Sequence, residues 1–191
     1  MKKLLLILIL TFSFQTLAKA DDIKDFQIEG MSIGDSALDF FSIDELNNSL
    51  DKMFYKNKEF KYYFLDYPKS KEYEYIQITV KPNDLDFEIY SVSGHIIYKE
   101  NINNCKKKLE LVNKEINSFF DTEPKKNKGK HWMDKSGQST YTRILYEFNN
   151  GFAKLLCYDM SKEFEEKGKN DRFALTLISR EFQEWIGKNK N

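Results

Sequence analysis

The segment YIQITVKPNDLDFEIY, residues 75–90, contains two runs in which apolar and polar side chains alternate. A period of two is typical of antiparallel strands that have one face on the core and one polar face. Between the runs, Pro82-Asn83-Asp84 has the chemistry of a turn. The segment therefore predicts a β-hairpin whose core residues are Ile76, Ile78 and Val80 in the first strand and Leu85, Phe87 and Ile89 in the second.

The alternating pattern returns elsewhere in the chain. Residues 61–65 indicate a weaker strand before the hairpin, and Ser93-Gly94 indicates a tight turn that leads into another apolar run. Residues 139–180 alternate again, and Asn150-Gly151 between two runs is a strong hairpin signal. The sequence therefore predicts an antiparallel sheet as the main element of the fold.

Helical periodicity is clearest in residues 102–121, where apolar side chains recur every three or four positions and lysines lie mostly off that stripe. Residues 31–55 are predicted to form two helical pieces. Each would begin with a capping box, in which Ser32 pairs with Asp35 and Ser42 pairs with Glu45. With a short terminal helix or tail after residue 180, the predicted order is ααβββαβββ. This is an α+β fold in one domain, residues 21–191, with helices packed on an antiparallel sheet.

Residues 1–20 have the pattern of a secretory signal peptide. Lys2 and Lys3 precede an apolar run over residues 4–14, and Ala18-Lys19-Ala20 is an A-x-A cleavage site. The run is too short to span a bilayer, although an uncleaved N-terminal anchor is the alternative. We expect cleavage after Ala20, a periplasmic or secreted location, and no transmembrane span in the mature chain.

The amino-acid composition bears on two questions: whether the protein binds nucleic acid, and whether its cysteines form a disulfide. Without residues 1–20, which contain three lysines and no acidic residue, 27 basic residues stand against 30 acidic ones. A mildly acidic chain is not typical of proteins that bind nucleic acid. The two cysteines, Cys105 and Cys157, would both enter an oxidising compartment, which favours one disulfide between them.

Two short motifs raise the alternative of a serine hydrolase. Residues 30–34, GMSIG, fit the G-x-S-x-G nucleophile elbow, and Gly34-Asp35-Ser36 resembles the block around the nucleophile of GDSL-type esterases. A triad also needs a general base. Neither His95 nor His131 has an aspartate three residues before it, as the esterase pattern requires. We therefore expect these serines to cap helices, and we predict no catalytic residue.

The sequence predicts no metal site and no cofactor. The two histidines lie far apart without the spacing of a metal motif, and neither common phosphate-binding glycine loop is present. Cys105 lies on an apolar helical stripe, which is unlike the exposed, electropositive setting of a reactive thiol.

The most unusual loop is TEPKKNKGKHWMDKSGQS, residues 122–139. A tryptophan among lysines is a candidate partner site, with Trp132 as the anchor and Lys128 and Lys130 in support. The alternative is a solvated loop whose tryptophan packs back on the sheet. Several tyrosines form a second group that either binds a partner or covers the outer sheet face: Tyr62, Tyr63, Tyr67, Tyr73 and Tyr75.

Residues 26–41, with the pattern I-x-G-M-S-x-x-D-S before an apolar helix, resemble the opening of small exported helix–helix–sheet domains. These are the beta-lactamase-inhibitor-like and outer-membrane-assembly small-lipoprotein group. The resemblance implies that Gly30, Met31, Ser32 and Asp35 cap the first helix, and that the role is a noncatalytic one in the envelope. We therefore expect an exported domain that binds a protein or another envelope component. An enzyme, a hydrolase with an unrecognised active site, is the alternative.

Overall fold

The structure is a computed structural model that describes residues 22–49, 51–54, 58–68, 70, 72–99, 101–119 and 123–189. Its strands are β1 (Asp51–Phe54), β2 (Lys61–Asp66), β3 (Tyr75–Val80), β4 (Ser91–Tyr98), β5 (Lys125–Lys130), β6 (Thr140–Phe148), β7 (Gly151–Asp159) and β8 (Asp171–Ser179). Its helices are α1 (Ile43–Asn47), α2 (Ile102–Phe119), α3 (Lys162–Glu166) and α4 (Arg180–Lys188), and short 3-10 helices cover Ile23–Asp25 and Ala37–Asp39. The predicted signal peptide lies outside the described residues.

All eight strands belong to one antiparallel sheet with the order β1-β2-β3-β4-β8-β7-β6-β5. Strands β1 to β4 form one meander and β5 to β8 form a second, and α2 connects the two along the chain. The last strands of the two meanders, β4 and β8, pair with each other at the centre of the sheet. Pairing between β4 and β8 therefore joins the two meanders into one sheet.

The predicted α+β class with the order ααβββαβββ is wrong, because most of the regular structure is sheet and the first helical region is nearly absent. Within residues 31–55, the described helices are one 3-10 turn and the five-residue α1. Ser42 and Glu45 do form the predicted capping box of α1. Gly34, however, has a φ of +94°, a left-handed conformation that interrupts a helix after Ser32. Residues 51–54 pair with β2 instead of continuing a helix.

The hairpin predicted over residues 75–90 is confirmed only in its first strand, β3, which pairs with β4 instead. Residues 85–89 form a loop, because the Asp84 carboxylate accepts hydrogen bonds from the backbone N–H groups of Asp86 and Glu88 at 3.1 and 2.9 Å. Leu85 is 88% exposed as a result. Local side-chain bonding of this kind competes with strand pairing.

The lysine-rich loop predicted over residues 122–139 contains the edge strand β5, which pairs with β6. Almost every side chain of β5 is exposed. Its sequence, KKNKGK, therefore lacks the alternation of apolar and polar residues that would indicate a strand. Lysines on an exposed edge also discourage pairing with another molecule.

One side of the sheet, which we call the helix face, packs against α2 and the N-terminal segment. Cys105 and Leu109 of α2 are buried against it, and so are Ile23 and Met31. The predicted disulfide is confirmed: Cys105 of α2 is bonded to Cys157 of β7, with their Cα atoms 5.8 Å apart. The strand residues on this face include Ile76, Ile78, Val92, Leu155 and Leu177.

The opposite side of the sheet, which we call the open face, is covered at one end by α4. There Phe182 is buried together with Phe60, Tyr90 and Ile178 in a second apolar cluster. The remainder of the open face contains aromatic, cationic and small side chains.

Candidate functional site

The serines of the two hydrolase-like motifs donate their hydroxyl protons to backbone carbonyls. Ser32 Oγ donates to the carbonyl oxygen of Phe26 at 2.8 Å, and Ser36 Oγ donates to that of Asp86 at 2.5 Å. Neither hydroxyl is hydrogen-bonded to a histidine in the described part of the chain. The expectation that Ser32 caps a helix is nevertheless wrong, because Ser32 begins a turn and not a helix. The Asp35 carboxylate closes this turn by accepting a hydrogen bond from the Ser32 N–H at 2.7 Å. Ser36 does cap the 3-10 helix Ala37–Asp39.

Within the described residues, no group of three or more His, Cys, Asp or Glu side chains is arranged to hold a metal ion. None of the helices in the same residues is long and apolar enough to span a membrane.

The turn that carries Trp132 is a preorganised structure, which we call the Trp132 turn, residues 131–139. The Asp134 carboxylate accepts hydrogen bonds from Ser136 and from the Ser139 N–H, the latter at 2.8 Å. Those bonds, from Ser136 first, hold the pKa of Asp134 below its usual range. The His131 N–H also donates to the Ser139 carbonyl at 2.8 Å, which closes the turn at its base. The loop conformation is therefore fixed by its own polar groups.

Trp132 is 86% exposed and Met133 is 42% exposed at the tip of this turn. The alternative that Trp132 packs back on the sheet is therefore wrong. Its neighbour His131 is buried and contacts the rings of Tyr158 and Phe164 at centroid distances of 5.4 and 6.3 Å. Burial lowers the pKa of His131, and Arg172 and Lys169 lower it further.

The structure brings only some of the predicted lysines to the turn. Lys130 folds over it, since its Nζ lies 2.9 Å from the position that a Cβ on Gly137 would take. Lys128 lies further back along β5, on the same side of the strand as Lys130. Sequence reasoning missed Lys169, whose Nζ lies 3.8 Å from Met133 Sδ. No local pattern indicates that contact, because it depends on how the segment after α3 returns to the sheet.

The tyrosine group predicted from the sequence divides between the two faces of the sheet. Tyr75 and Tyr62 lie on the open face, as the alternation in β2 and β3 places them. Tyr63, Tyr67 and Tyr73 pack with the core of the helix face instead. The tyrosines therefore do not form one continuous surface.

A second candidate group of side chains lies at the centre of the open face, and the sequence predictions did not include it. Strand register places Arg172 beside Tyr158, and Ala174 between His95 and Leu156. The Arg172 guanidinium lies over the Tyr158 ring, with its Cζ 4.3 Å from the centroid. The His95 ring stacks on Tyr75 at 4.4 Å with an interplanar angle of 9°.

Three buried polar atoms of this cluster have no hydrogen-bond partner among the described residues. Both ring nitrogens of His95 and the Nε of Arg172 are buried without a hydrogen bond to any described residue. Burial lowers the pKa of His95 to about 3, and the Arg172 guanidinium adds to the shift, so the imidazole is neutral. A sequence signal that could have drawn attention to this cluster is the scarcity of arginine, which the chain has only at positions 143, 172 and 180.

Comparisons with known proteins give no information about these sites. No family model matches the chain, and no curated protein or solved structure is significantly similar to it. The resemblance of residues 26–41 to small exported helix–helix–sheet domains therefore stays a prediction.

Proposed function

We propose that this protein is an exported, noncatalytic binding domain whose Trp132 turn contacts an acidic surface on an envelope or extracellular protein. The exposure of Trp132 on a preorganised turn is the observation that carries this proposal. A large aromatic side chain that is held rigidly in water contributes little to folding, whereas aromatic anchors with basic neighbours commonly dominate interface energy.

Charge around the anchor indicates the nature of the partner. Lys130 and Lys169 lie against the turn, and Lys135 within it is exposed. The acidic residue inside the turn, Asp134, is fully engaged by Ser136 and Ser139. The surface presented to a partner is therefore basic with an apolar centre, which complements an acidic protein surface.

A protein partner is favoured over a lipid surface by the small apolar area at the tip. Trp132 and Met133 are its exposed large apolar side chains, and Met133 is more than half covered. Membrane binding by insertion scales with buried apolar area, whereas one aromatic anchor suffices as a hot spot between proteins.

The test is quantitative capture of partners from an envelope extract by the immobilised mature protein and its variants. Trp132→Ala should reduce recovery of the specific partner at least tenfold, because hot-spot truncation commonly costs about 2 kcal/mol or more. The matched control is Leu85→Ala, since Leu85 is 88% exposed on a different loop. Both variants should unfold at the same denaturant concentration as the parent protein.

Equal recovery by the parent and Trp132→Ala would contradict the proposal, and so would binding to anionic vesicles in place of protein. Lys169→Gln should weaken capture and reduce its dependence on salt, whereas Lys106→Gln on α2 should not. Reproducible turnover by independently purified protein in a broad hydrolase screen would overturn the noncatalytic assignment.

A further inference from the structure

The centre of the open face combines cations and apolar side chains on four adjacent strands. On β8, Ala174 lies between His95 of β4 and Leu156 of β7, and Leu156 lies beside Arg143 of β6. Arg172 precedes Ala174 by two residues and therefore lies on the same face. We call these side chains and Tyr158 the Arg172 patch. Ala174 and Leu156 form its apolar floor, and the polar groups surround that floor.

The patch has positive charge that no described carboxylate neutralises. Neither Arg172 nor Arg143 is within ion-pairing distance of an acidic residue in the described part of the chain. Glu147 lies on the same face, but Lys125 and Arg180 already pair with it, both at 3.3 Å. Arg143 donates its Nε–H to Asn127 Oδ1 at 2.9 Å. The Nε–H of Arg172, in contrast, has no hydrogen-bond acceptor among the described residues.

The unpaired polar groups at this position are unfavourable in the protein alone. His95 is 6% exposed, and both of its ring nitrogens are buried without partners beside the equally unpartnered Nε of Arg172. A buried donor or acceptor without a hydrogen bond destabilises the folded protein. An anion that accepts from the guanidinium would offset that loss and neutralise the charge.

The geometry of the donors and floor selects the kind of anion. A guanidinium pairs with a carboxylate through two parallel hydrogen bonds, and one arginine is sufficient for that arrangement. The floor of Ala174 and Leu156 and the rings of Tyr158 and Tyr75 offer an apolar surface, which suits a hydrocarbon body and would not suit a fully hydrated phosphate. The pattern therefore favours a carboxylate attached to an apolar group.

We propose that the Arg172 patch binds a small carboxylate with an apolar body, its carboxylate on Arg172 and its hydrocarbon part on Ala174, Leu156 and the flanking rings. This site is separate from the partner contact of the Trp132 turn and does not depend on it.

The experiment is a titration of the isotopically labelled mature protein, followed by backbone amide and arginine Nε NMR signals. The probes are hexanoate, hexanol as the uncharged molecule of equal chain length, and inorganic phosphate. Hexanoate should shift the signals of Ala174, Tyr158 and Arg172 Nε to saturation. Hexanol and phosphate should each bind at least tenfold more weakly at the same signals, because each lacks one part of the recognised chemistry.

Variants then assign the contact. Arg172→Gln should weaken hexanoate binding at least tenfold, and Arg172→Lys should recover only part of that loss because it lacks the planar fork. Lys106→Gln removes a cation from α2 and should leave binding unchanged. Trp132→Ala should also leave it unchanged, which separates failure of this proposal from failure of the partner proposal.

Equal binding of hexanoate and hexanol, or of hexanoate and phosphate, would overturn the proposal without any variant. An unchanged hexanoate affinity in a folded Arg172→Gln would overturn it as well.

Discussion

The His95 side chain is buried on the open face of the sheet, with the Tyr75 ring stacked on it and the Arg172 guanidinium nearby. Burial is the main cause of its low pKa of about 3, and the arginine charge adds to it. The folded protein therefore keeps this side chain neutral under conditions in which the unfolded chain, with an ordinary histidine pKa near 6.5, takes up a proton.

The consequence is a loss of stability on acidification. Because the folded pKa of His95 is depressed, its contribution is fully present above about pH 6.5 and declines as the pH falls towards 3. His95→Leu, which cannot titrate, should lose less stability than the parent protein between pH 7.5 and pH 4.5. Urea unfolding at both pH values measures the difference.

NMR titration of the histidine ring protons is the direct control for that assignment. The His95 signals should not move between pH 8 and pH 5, whereas a shift with a midpoint near 6.5 would contradict the account. Parallel acid sensitivity of His95→Leu and the parent protein would place the effect on other residues.

Residue roles could be predicted from the sequence only where the chemistry is local. The Ser42 and Glu45 capping box was predictable because it involves residues three positions apart. The same pattern at Ser32 and Asp35 predicted a helix that is absent, because Gly34 adopts a left-handed φ and the Ser32 hydroxyl bonds to Phe26. The Arg172 patch depends on the register of four strands, which no local pattern specifies.

At the scale of elements, the disulfide joins the longest described helix, α2, to strand β7 of the sheet. Cys105 and Cys157 are separated by 52 residues, and both are buried. A crosslink that closes a loop of this length restricts the unfolded chain, which corresponds to about 4 kcal/mol in the chain-entropy description.

Removal of this crosslink should therefore lower the free energy of unfolding by up to about 4 kcal/mol. Cys105→Ala combined with Cys157→Ala tests it by urea unfolding, and reduction of the parent protein should give a similar loss. Reduction should not affect the double variant. Titration of the unfolded, unreduced parent protein should find no free thiol, and two free thiols would contradict the bond.

Elements with strong internal periodicity were predictable, and elements defined by pairing at an edge were not. The apolar stripe of α2 and the alternation in β3, β6 and β7 predicted those elements, because each buries one face. The edge strands β1 and β5 were predicted as helix and loop. In β5 the exposed lysines have no periodicity, and the strand exists because its backbone pairs with β6.

At the scale of the molecule, the sheet order explains why the two candidate sites are neighbours. Tyr158 of β7 contacts Arg172 on the open face and also the His131 ring at the base of the Trp132 turn. The turn follows β5 and Arg172 lies on β8, yet sheet pairing through β6 and β7 brings them close together. Patterns within single segments of the sequence do not predict that the two sites lie close together, because this depends on the order of strands in the sheet.

The disulfide links the stability of the whole molecule to its compartment. A chain retained in a reducing cytoplasm would lose the crosslink, whereas export would allow it to form. The predicted signal peptide over residues 1–20 supplies the route, and it lies outside the described residues.

We therefore predict that the exported protein begins at Asp21 and contains the Cys105–Cys157 bond. Intact-mass measurement of protein purified from the envelope or the medium, before and after alkylation, checks both statements at once. Ala20→Leu, which removes the small residue at the cleavage site, should accumulate as the full-length chain. A chain without residues 2–20 should remain in the cytoplasm with two free thiols and should unfold at a lower urea concentration, because the crosslink is absent. Recovery of the full-length parent chain from the exported fraction would contradict cleavage, and free thiols in exported protein would contradict the link between compartment and stability.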